Sequence, residues 1–171
     1  MIRVVMFDLG MTLIDAQNRP FAHVAHALET ISTYKTKDGK PLRSCLVSDF
    51  TMPTPPITVQ KKRALFDQYL DILGRTGLRP LFEPVNRRVT LSTQAGVLKP
   101  DRKVFETAVR RLRVRATLEE CLFVTESSAH ISAARQALHM RALQFASTGQ
   151  PPFDFDDWSL FPALIAQFLE G

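Results

Sequence analysis

Five short apolar runs recur along the chain, and helical patterns lie between them. The runs read RVVMF, SCLV, RVTL, CLFV and RALQF, at residues 3–7, 44–47, 88–91, 121–124 and 141–145. Most of them do not alternate between apolar and polar positions, which is typical of strands buried on both faces of a parallel sheet. Because strand and helix alternate over the whole chain, the pattern predicts a doubly wound α/β fold.

The predicted helices carry apolar residues at helical spacing. The apolar stripes of these helices lie within residues 21–31, 60–75, 104–112, 131–138 and 160–169. The last segment, LFPALIAQFL, has about ten apolar or weakly polar residues, whereas a membrane span needs about 18. It therefore indicates a terminal helix that faces the core, and we expect no membrane association.

Composition narrows the class of protein. The 171 residues fit one domain, which we place at 1–171. With 45% apolar and 23% charged residues, disordered and fibrous classes are excluded. The net charge of +5 favours anions near the surface but says nothing about the fold.

RVVMF is too short for the apolar region of a signal peptide, so we expect no cleaved leader. The two cysteines indicate no disulfide scaffold, and we expect a cytoplasmic protein.

Polar side chains follow three of the predicted strands at the point where each strand ends. Asp8 follows the first run, Ser48 the second, and Thr125 and Glu126 the fourth. Ligands of open α/β sheets bind at the carboxyl ends of the strands, so we expect these side chains to converge.

A lysine is a further candidate residue for this site. Lys99, in GVLKPD, precedes a predicted helix whose first turn is expected to hold Pro100 and Asp101. A carboxylate, a hydroxyl, a lysine and a second carboxylate are the groups needed for phosphoryl transfer. The first carboxylate attacks, the hydroxyl and lysine bind phosphoryl oxygens, and both carboxylates share a magnesium ion.

The order and spacing of these residues resemble the haloacid dehalogenase (HAD) superfamily over roughly residues 1–146. FDLGMTLID resembles the first motif, DxDGT, with Asp8 at the nucleophile and Thr12 at the threonine, which is implied to bind phosphate. CLVSD resembles the second motif, with Ser48 as the phosphate-binding hydroxyl. VLKPDRKVFETAVRRL resembles the third, with Lys99 as its catalytic and phosphate-binding lysine. CLFVTESSAHISAARQAL resembles the fourth, usually hhhhGDSxxD.

The resemblance implies a single Rossmann-like domain. It has a five-stranded parallel sheet in the order 5-4-1-2-3, with helices on both faces and the Asp8 strand at the centre. Cys45 and Cys121 then lie on the strands beside the central one, about 10 Å apart and too far for a disulfide. About thirty residues separate Asp15 from Cys45, and the stretch from 49 to 98 holds one helix and one strand. Neither interval is long enough for a sizeable cap domain.

Four positions depart from the family pattern. Gly10 stands where the second aspartate acts as general acid, Thr125 and Glu126 replace Gly-Asp, and His130 replaces the last acid. The resemblance implies Mg²⁺ bound by Asp8, the Gly10 carbonyl and Glu126. The alternative for Glu126 is a solvated carboxylate at a helix start, and for His130 a partly exposed side chain. A general acid contributes about 10²–10⁴ in rate, so its loss predicts a slow enzyme.

Two functions follow from these residues. The first is a phosphohydrolase that acts through an aspartyl-phosphate on Asp8 with Mg²⁺, on a phosphorylated small molecule or macromolecule. The second is a catalytically inactive HAD-fold protein, a pseudoenzyme, that binds a partner or a phosphorylated ligand. Dehalogenation is less expected, because the usual cap-borne residues have no place in this chain.

Partners are predicted from two surface segments. The basic run RRLRVR at residues 110–115 lies mostly off the apolar helix stripe and has no interleaved aromatic residues, so no nucleic acid is expected. The proline-rich loop TMPTPP at residues 51–56 is stiff. Because a capless site is open to water, we expect a homo-oligomer or a large partner to cover it, with this loop at the contact.

Overall fold

The computed structural model describes residues 1–148 and 151–170. Its centre is a five-stranded parallel sheet in the order β3-β2-β1-β4-β5, which confirms the predicted topology. The strands are β1 (Val4–Phe7), β2 (Arg43–Ser48), β3 (Val89–Leu91), β4 (Cys121–Thr125) and β5 (Arg141–Gln144).

Seven α-helices surround the sheet in the described part of the chain. They are α1 (Val24–Ser32), α2 (Val59–Arg75), α3 (Val85–Arg88), α4 (Ser92–Ala95), α5 (Arg102–Leu112), α6 (Ser128–Gln136) and α7 (Phe161–Glu170). Short 3-10 turns cover Arg79–Phe82, Leu118–Glu120 and Trp158–Leu160. Within residues 1–148 and 151–170, every helix is too short or too polar to cross a membrane.

The residues of β1 alternate between two apolar layers, which explains why the run is apolar throughout. Val5 and Phe7 pack in the layer that α1, α2 and α7 cover, while Val4 and Met6 face the layer formed by α5 and α6. Each strand residue is therefore removed from water on its own face, as expected for a parallel sheet between helices.

The two cysteines flank the central strand, as predicted. Cys45 on β2 pairs in register with Met6, and Cys121 on β4 pairs with Val4. Both thiols are free and buried. Burial raises the pKa of the Cys121 thiol to about 12, because the interior disfavours the thiolate.

The start of α5 corrects the prediction for the residues after Lys99. Pro100 and Asp101 precede the helix and do not form its first turn, because α5 begins at Arg102. Asp101 is the N-cap residue, and its carboxylate accepts a hydrogen bond of 2.8 Å from the Lys103 amide. A capping aspartate satisfies a free N–H group at the helix start, which fixes the boundary there.

The intervals that would carry a cap hold only small elements. The chain between Asp15 and β2 forms a loop and α1. The stretch from 49 to 98 holds α2 and β3, as predicted, together with the short helices α3 and α4 and one 3-10 turn. The described residues therefore contain no cap domain. Of the connection at 147–157, residues 149 and 150 lie outside the described residues.

The basic run at 110–115 is only partly a solvated face. Arg110, Arg113 and Arg115 are exposed, as predicted. Arg111 is half-buried and donates a 3.0 Å hydrogen bond to the Val89 carbonyl. Burial lowers the pKa of its guanidinium. This arginine stabilises the edge of the sheet and contributes little to any anion-binding surface.

Candidate active site

Asp8 lies directly after β1 and is held on both carboxylate oxygens. Its Oδ1 atom lies 2.7 Å from Lys99 Nζ and accepts a 3.0 Å hydrogen bond from the Leu9 amide. Its Oδ2 atom accepts from Thr125 Oγ1 at 3.2 Å. The side chain remains 15% exposed. The carboxylate is therefore fixed in orientation and still open to a ligand.

Lys99 is almost completely buried beneath this carboxylate. Its side chain is 1% exposed, and Nζ also donates to the Val47 carbonyl at 3.0 Å. The ammonium group lies 5.5 Å from the centre of the Phe123 ring. The Lys99 amide donates to Asp49 Oδ1 at 2.8 Å, which fixes the loop. A buried ammonium requires a counter-charge, so Asp8 and Lys99 form one electrostatic unit.

Thr12 and Glu126 form a reciprocal pair across the first and fourth motifs. Thr12 Oγ1 donates to Glu126 Oε2 at 2.8 Å, and the Glu126 amide donates back to Thr12 Oγ1 at 3.1 Å. Thr125 Oγ1 lies 3.2 Å from the same Glu126 oxygen. Gln144 Nε2 binds the Glu126 carbonyl at 3.0 Å. Hydrogen bonds thus link Asp8, Thr125, Glu126 and Thr12 in one cluster.

The backbone at Gly10 accepts a side chain. A Cβ atom built on Gly10 has no neighbour within 4 Å, and this residue is outside the positive-φ region. The left-handed residue of the turn is Met11, with φ of 57° and 42% exposure. Met11 stands at the position of the glycine in DxDGT. The sequence indicated the missing acid, but the strain at the next residue was missed.

Ser48 lies at the end of β2, beside the Val47 carbonyl that Lys99 binds. Its Oγ atom lies 2.6 Å from the hydroxyl oxygen of Tyr69 on α2. Both side chains are buried. Tyr69 was missed by the sequence analysis, because a tyrosine on an apolar helix face is usually a core residue.

His130 lies in the first turn of α6, and its amide donates to the capping Ser127 hydroxyl at 3.3 Å. Its Nδ1 atom is buried and lacks a hydrogen-bond partner within the described residues. The residue is partly exposed overall. It belongs to the same end of the sheet as Glu126, but no described contact joins it to Asp8.

The oxygen atoms around Asp8 suit a hard divalent cation. Asp8 and Glu126 supply carboxylates on either side of Thr125 Oγ1. The Gly10 carbonyl accepts no hydrogen bond from any residue in 1–148 or 151–170. Those residues include no group of three or more His, Cys, Asp or Glu side chains able to hold a metal. The set is thus two carboxylates and a free carbonyl, which is chemically suitable for Mg²⁺ with several waters.

A cavity of about 270 Å³ opens beside this cluster. Its lining includes Met11, Glu126, Gln144 and Phe153. It lies between the turn after β1 and the chain after β5, so it adjoins the exposed side of the cluster.

Comparison with known proteins gives a fold relationship. No family model matches the chain, and no curated protein matches it. Among solved structures, L-2-haloacid dehalogenase from Xanthobacter autotrophicus has 13% identity and a TM-score of 0.69, covering 98% of this chain and 99% of that one. The HAD-hydrolase YfnB from Bacillus subtilis, bound to magnesium, has 11% identity and a TM-score of 0.62. That alignment covers 86% of this chain and 57% of YfnB.

A third structure is a haloacid dehalogenase-like protein of unknown function from Agrobacterium tumefaciens. It has 15% identity and a TM-score of 0.56, and the alignment covers 98% of this chain and 99% of that chain. At such identities the likeness concerns the fold. Together with the sheet order and the position of Asp8 at the end of the central strand, it shows that this chain has the fold of the HAD superfamily.

Proposed function

We propose that the protein is a HAD-like phosphohydrolase that works through an aspartyl-phosphate on Asp8. The observation that carries this proposal is the 2.7 Å pair between Asp8 Oδ1 and the buried Lys99 Nζ at the end of the central strand. A nucleophile must be charged, oriented and accessible. Lys99 keeps the carboxylate in place, and its positive charge lies where a phosphoryl group would gain negative charge.

The reaction has two steps. A carboxylate oxygen of Asp8 forms a bond to phosphorus while the bond from phosphorus to the leaving oxygen breaks, and that oxygen leaves with the electron pair. It takes its proton from water, because Gly10 offers none. Water then attacks phosphorus, the Asp8–phosphorus bond breaks, a proton passes to solvent, and inorganic phosphate and the free carboxylate result. Lys99 and Ser48 bind phosphoryl oxygens in both steps.

The proposed cofactor is Mg²⁺, bound by Asp8, Glu126 and the Gly10 carbonyl. Bound there, the cation would neutralise charge on the phosphoryl group. The binding of magnesium by YfnB, which has the same fold, supports the proposal. Affinity would be modest, since only two carboxylates contribute. Calorimetric titration of wild type and of Asp8→Asn with Glu126→Gln tests this: equal heats of Mg²⁺ binding would contradict the site.

The missing acid sets the substrate preference. Aryl and acyl phosphates have leaving oxygens that hardly need a proton, whereas alkyl phosphates, such as sugar phosphates, need one. We therefore propose hydrolysis of the first group well ahead of the second. The cavity beside Glu126 has room for a modest leaving group, and its open side also admits a phosphorylated macromolecule.

The second candidate is a protein that binds a phosphorylated ligand or a partner without turnover. The observation in its favour is the empty position at Gly10, where no neighbouring atom lies within 4 Å of a built Cβ. No side chain of a described residue occupies the place that an aspartate at position 10 would take. A binding protein would retain Ser48 and Lys99 for the anion and would not need Asp8 as a nucleophile.

A phosphatase screen with Mg²⁺ separates the two candidates. Wild type is compared with Asp8→Asn, and with Asp15→Asn as a control. Asp15 lies in the same loop region, and among the described residues its carboxylate binds only Arg19 and nearby backbone amides. We expect turnover of acyl and aryl phosphates by wild type and Asp15→Asn and none by Asp8→Asn. Absence of Asp8-dependent turnover of any acyl phosphate would favour the binding protein.

A further inference from the structure

A buried pair of hydroxyl groups lies at the floor of the proposed phosphate site. Ser48 Oγ and Tyr69 OH are 2.6 Å apart, and neither side chain is more than 3% exposed. Tyr69 comes from the middle of α2, and its ring packs edge-on against Phe50 at 5.4 Å. The contact therefore ties the long helix after the second motif to the end of β2.

The two hydroxyls carry two hydrogens, and their mutual bond uses only one. Within residues 1–148 and 151–170, neither hydroxyl has another hydrogen-bond partner. If Ser48 donated, the Tyr69 hydrogen would be left without an acceptor, which is unfavourable for a buried donor. If Tyr69 donates, the Ser48 hydrogen is left over instead, at the end of the strand whose Val47 carbonyl accepts a hydrogen bond from Lys99. The arrangement in which Tyr69 donates to Ser48 is favourable whenever a ligand atom in the site accepts the Ser48 hydrogen.

The charges around Tyr69 also favour a hydrogen bond in which Tyr69 donates and Ser48 accepts. Burial raises the pKa of the Tyr69 phenol, and the negative charge of Asp8 raises it further, against the opposing effect of the Ser48 hydrogen bond. Tyr69 therefore keeps its proton and remains a donor at all ordinary pH values. A phenol is also a stronger donor than an alkyl hydroxyl, so the Ser48 oxygen is the natural acceptor.

We propose that Tyr69 is a positioning residue that donates to Ser48 and so leaves the Ser48 hydrogen for a ligand that presents an anionic oxygen at that point. With Tyr69 donating, one of the two lone pairs on Ser48 Oγ is occupied, and the Ser48 hydrogen points away from Tyr69. A phosphoryl or similar oxyanion oxygen accepts that hydrogen. This inference rests on the proposed phosphate site, and it adds a residue that acts through Ser48.

Calorimetric titration with tungstate, a tetrahedral oxyanion, tests the inference. The proteins are wild type, Tyr69→Phe, Ser48→Ala and the double variant. Loss of one neutral hydrogen bond predicts that Tyr69→Phe weakens binding about 2- to 15-fold. In the Ser48→Ala background, the same change should have no further effect on affinity. A merely structural role would weaken binding equally in both backgrounds.

Tyr34→Phe is the matched control, because its hydroxyl binds the Pro162 carbonyl at 3.3 Å, away from the site. It should leave tungstate affinity unchanged. Melting temperatures identify any variant that fails to fold, and a Tyr69→Phe protein that does not fold is replaced by Tyr69→Met. Equal affinity in wild type and the Tyr69 variant, or an equal loss with and without Ser48, would overturn the inference alone. Failure of folded wild type to bind tungstate would overturn both this inference and the proposed phosphate site.

Discussion

Gly10 occupies the position of the missing general acid, and its surroundings determine whether that acid can be restored. A built Cβ meets nothing within 4 Å, and the backbone is outside the left-handed region. Gly10→Asp should therefore fold with unchanged stability. We expect it to raise the hydrolysis of alkyl phosphates relative to aryl phosphates, recovering part of the ~10²–10⁴ that a general acid contributes. Rates on paired aryl and alkyl substrates measure the change, and Gly10→Asn is the control that cannot donate a carboxyl proton.

Met11 carries the strain in the same turn. Its φ of 57° lies in the left-handed region, which costs an ordinary L-residue about 1 kcal/mol. Its side chain is largely exposed, so removing it loses little packing. Met11→Gly should raise the free energy of unfolding by about 0.5–1 kcal/mol, as measured by urea denaturation. Leu98→Gly, at an exposed residue without positive φ, should be destabilising instead. A lower stability for Met11→Gly would contradict this view of the turn.

Lys99 is a residue whose expected contribution to stability and proposed catalytic role depend on the same contact with Asp8. Lys99→Met leaves the largely buried Asp8 carboxylate without its cation, and we expect the unfolding free energy to fall by about 2–4 kcal/mol. Adding Asp8→Asn should recover part of that loss, because the uncompensated charge is removed. Lys103→Met, at an exposed position on α5, should stay within about 0.5 kcal/mol of wild type. No recovery in the double variant would show that the pair contributes little.

The sequence revealed the candidate site residues that follow strands or lie in motifs. It missed those that depend on a tertiary contact or a backbone angle. Asp8, Ser48 and Lys99 were predicted because they follow strands or a recognisable motif, where topology brings side chains together. Tyr69 and Met11 depend on three-dimensional facts, namely a contact across 21 positions and a local φ angle. Neither leaves a periodic signal in the sequence.

At the scale of elements, the C-terminal segment supports the active-site turn. Trp158 Nε1 donates a 3.2 Å hydrogen bond to the Thr12 carbonyl from 146 positions away. Its ring also packs against aromatic residues of β1, the chain after β5 and α7. The sequence predicted α7 as a core-facing helix, but it gave no indication that Trp158, in the 3-10 turn before this helix, holds the first motif.

Trp158→Phe tests that link. The change retains an aromatic ring and removes the donor to a buried carbonyl, so we expect the unfolding free energy to fall by about 2 kcal/mol. Activity should also fall, because the turn that carries Thr12 is loosened. Phe161→Leu is the control: it disturbs the same aromatic cluster without removing a hydrogen bond. The unfolding free energy should fall in both variants. For a comparable loss of stability, kcat should fall only in Trp158→Phe.

Helix boundaries were the least predictable elements. The start of α5 was expected two residues early, since a proline suits a first helical turn. The capping carboxylate of Asp101 moves the start to Arg102. The strand positions were predicted closely, because the consecutive buried residues within each strand leave a clear apolar run.

At the scale of the whole molecule, the candidate site has no cap domain, so we expect another protein surface to shield it from water. The loop at 51–56 follows β2 at the active-site end of the sheet, and the chain after it exposes Ile57 and Val59, at 56% and 83%. We propose that a second copy or a large partner contacts this loop. Sedimentation velocity should show self-association of wild type that Ile57→Lys with Val59→Lys removes, while Leu160→Lys, at an exposed residue of the 3-10 turn before α7, does not. A monomer at all concentrations, without a partner from cell extract, would contradict the proposal.

The central claim is that Asp8 is a nucleophile, and mass spectrometry of the protein quenched during turnover tests it most directly. Wild type, Asp8→Asn and Asp15→Asn are mixed with acetyl phosphate and Mg²⁺, quenched in acid and digested. The account predicts a phosphoryl group on the peptide that contains Asp8 in wild type and Asp15→Asn, and none in Asp8→Asn. Turnover by wild type without any modified Asp8, or equal turnover by Asp8→Asn, would contradict it.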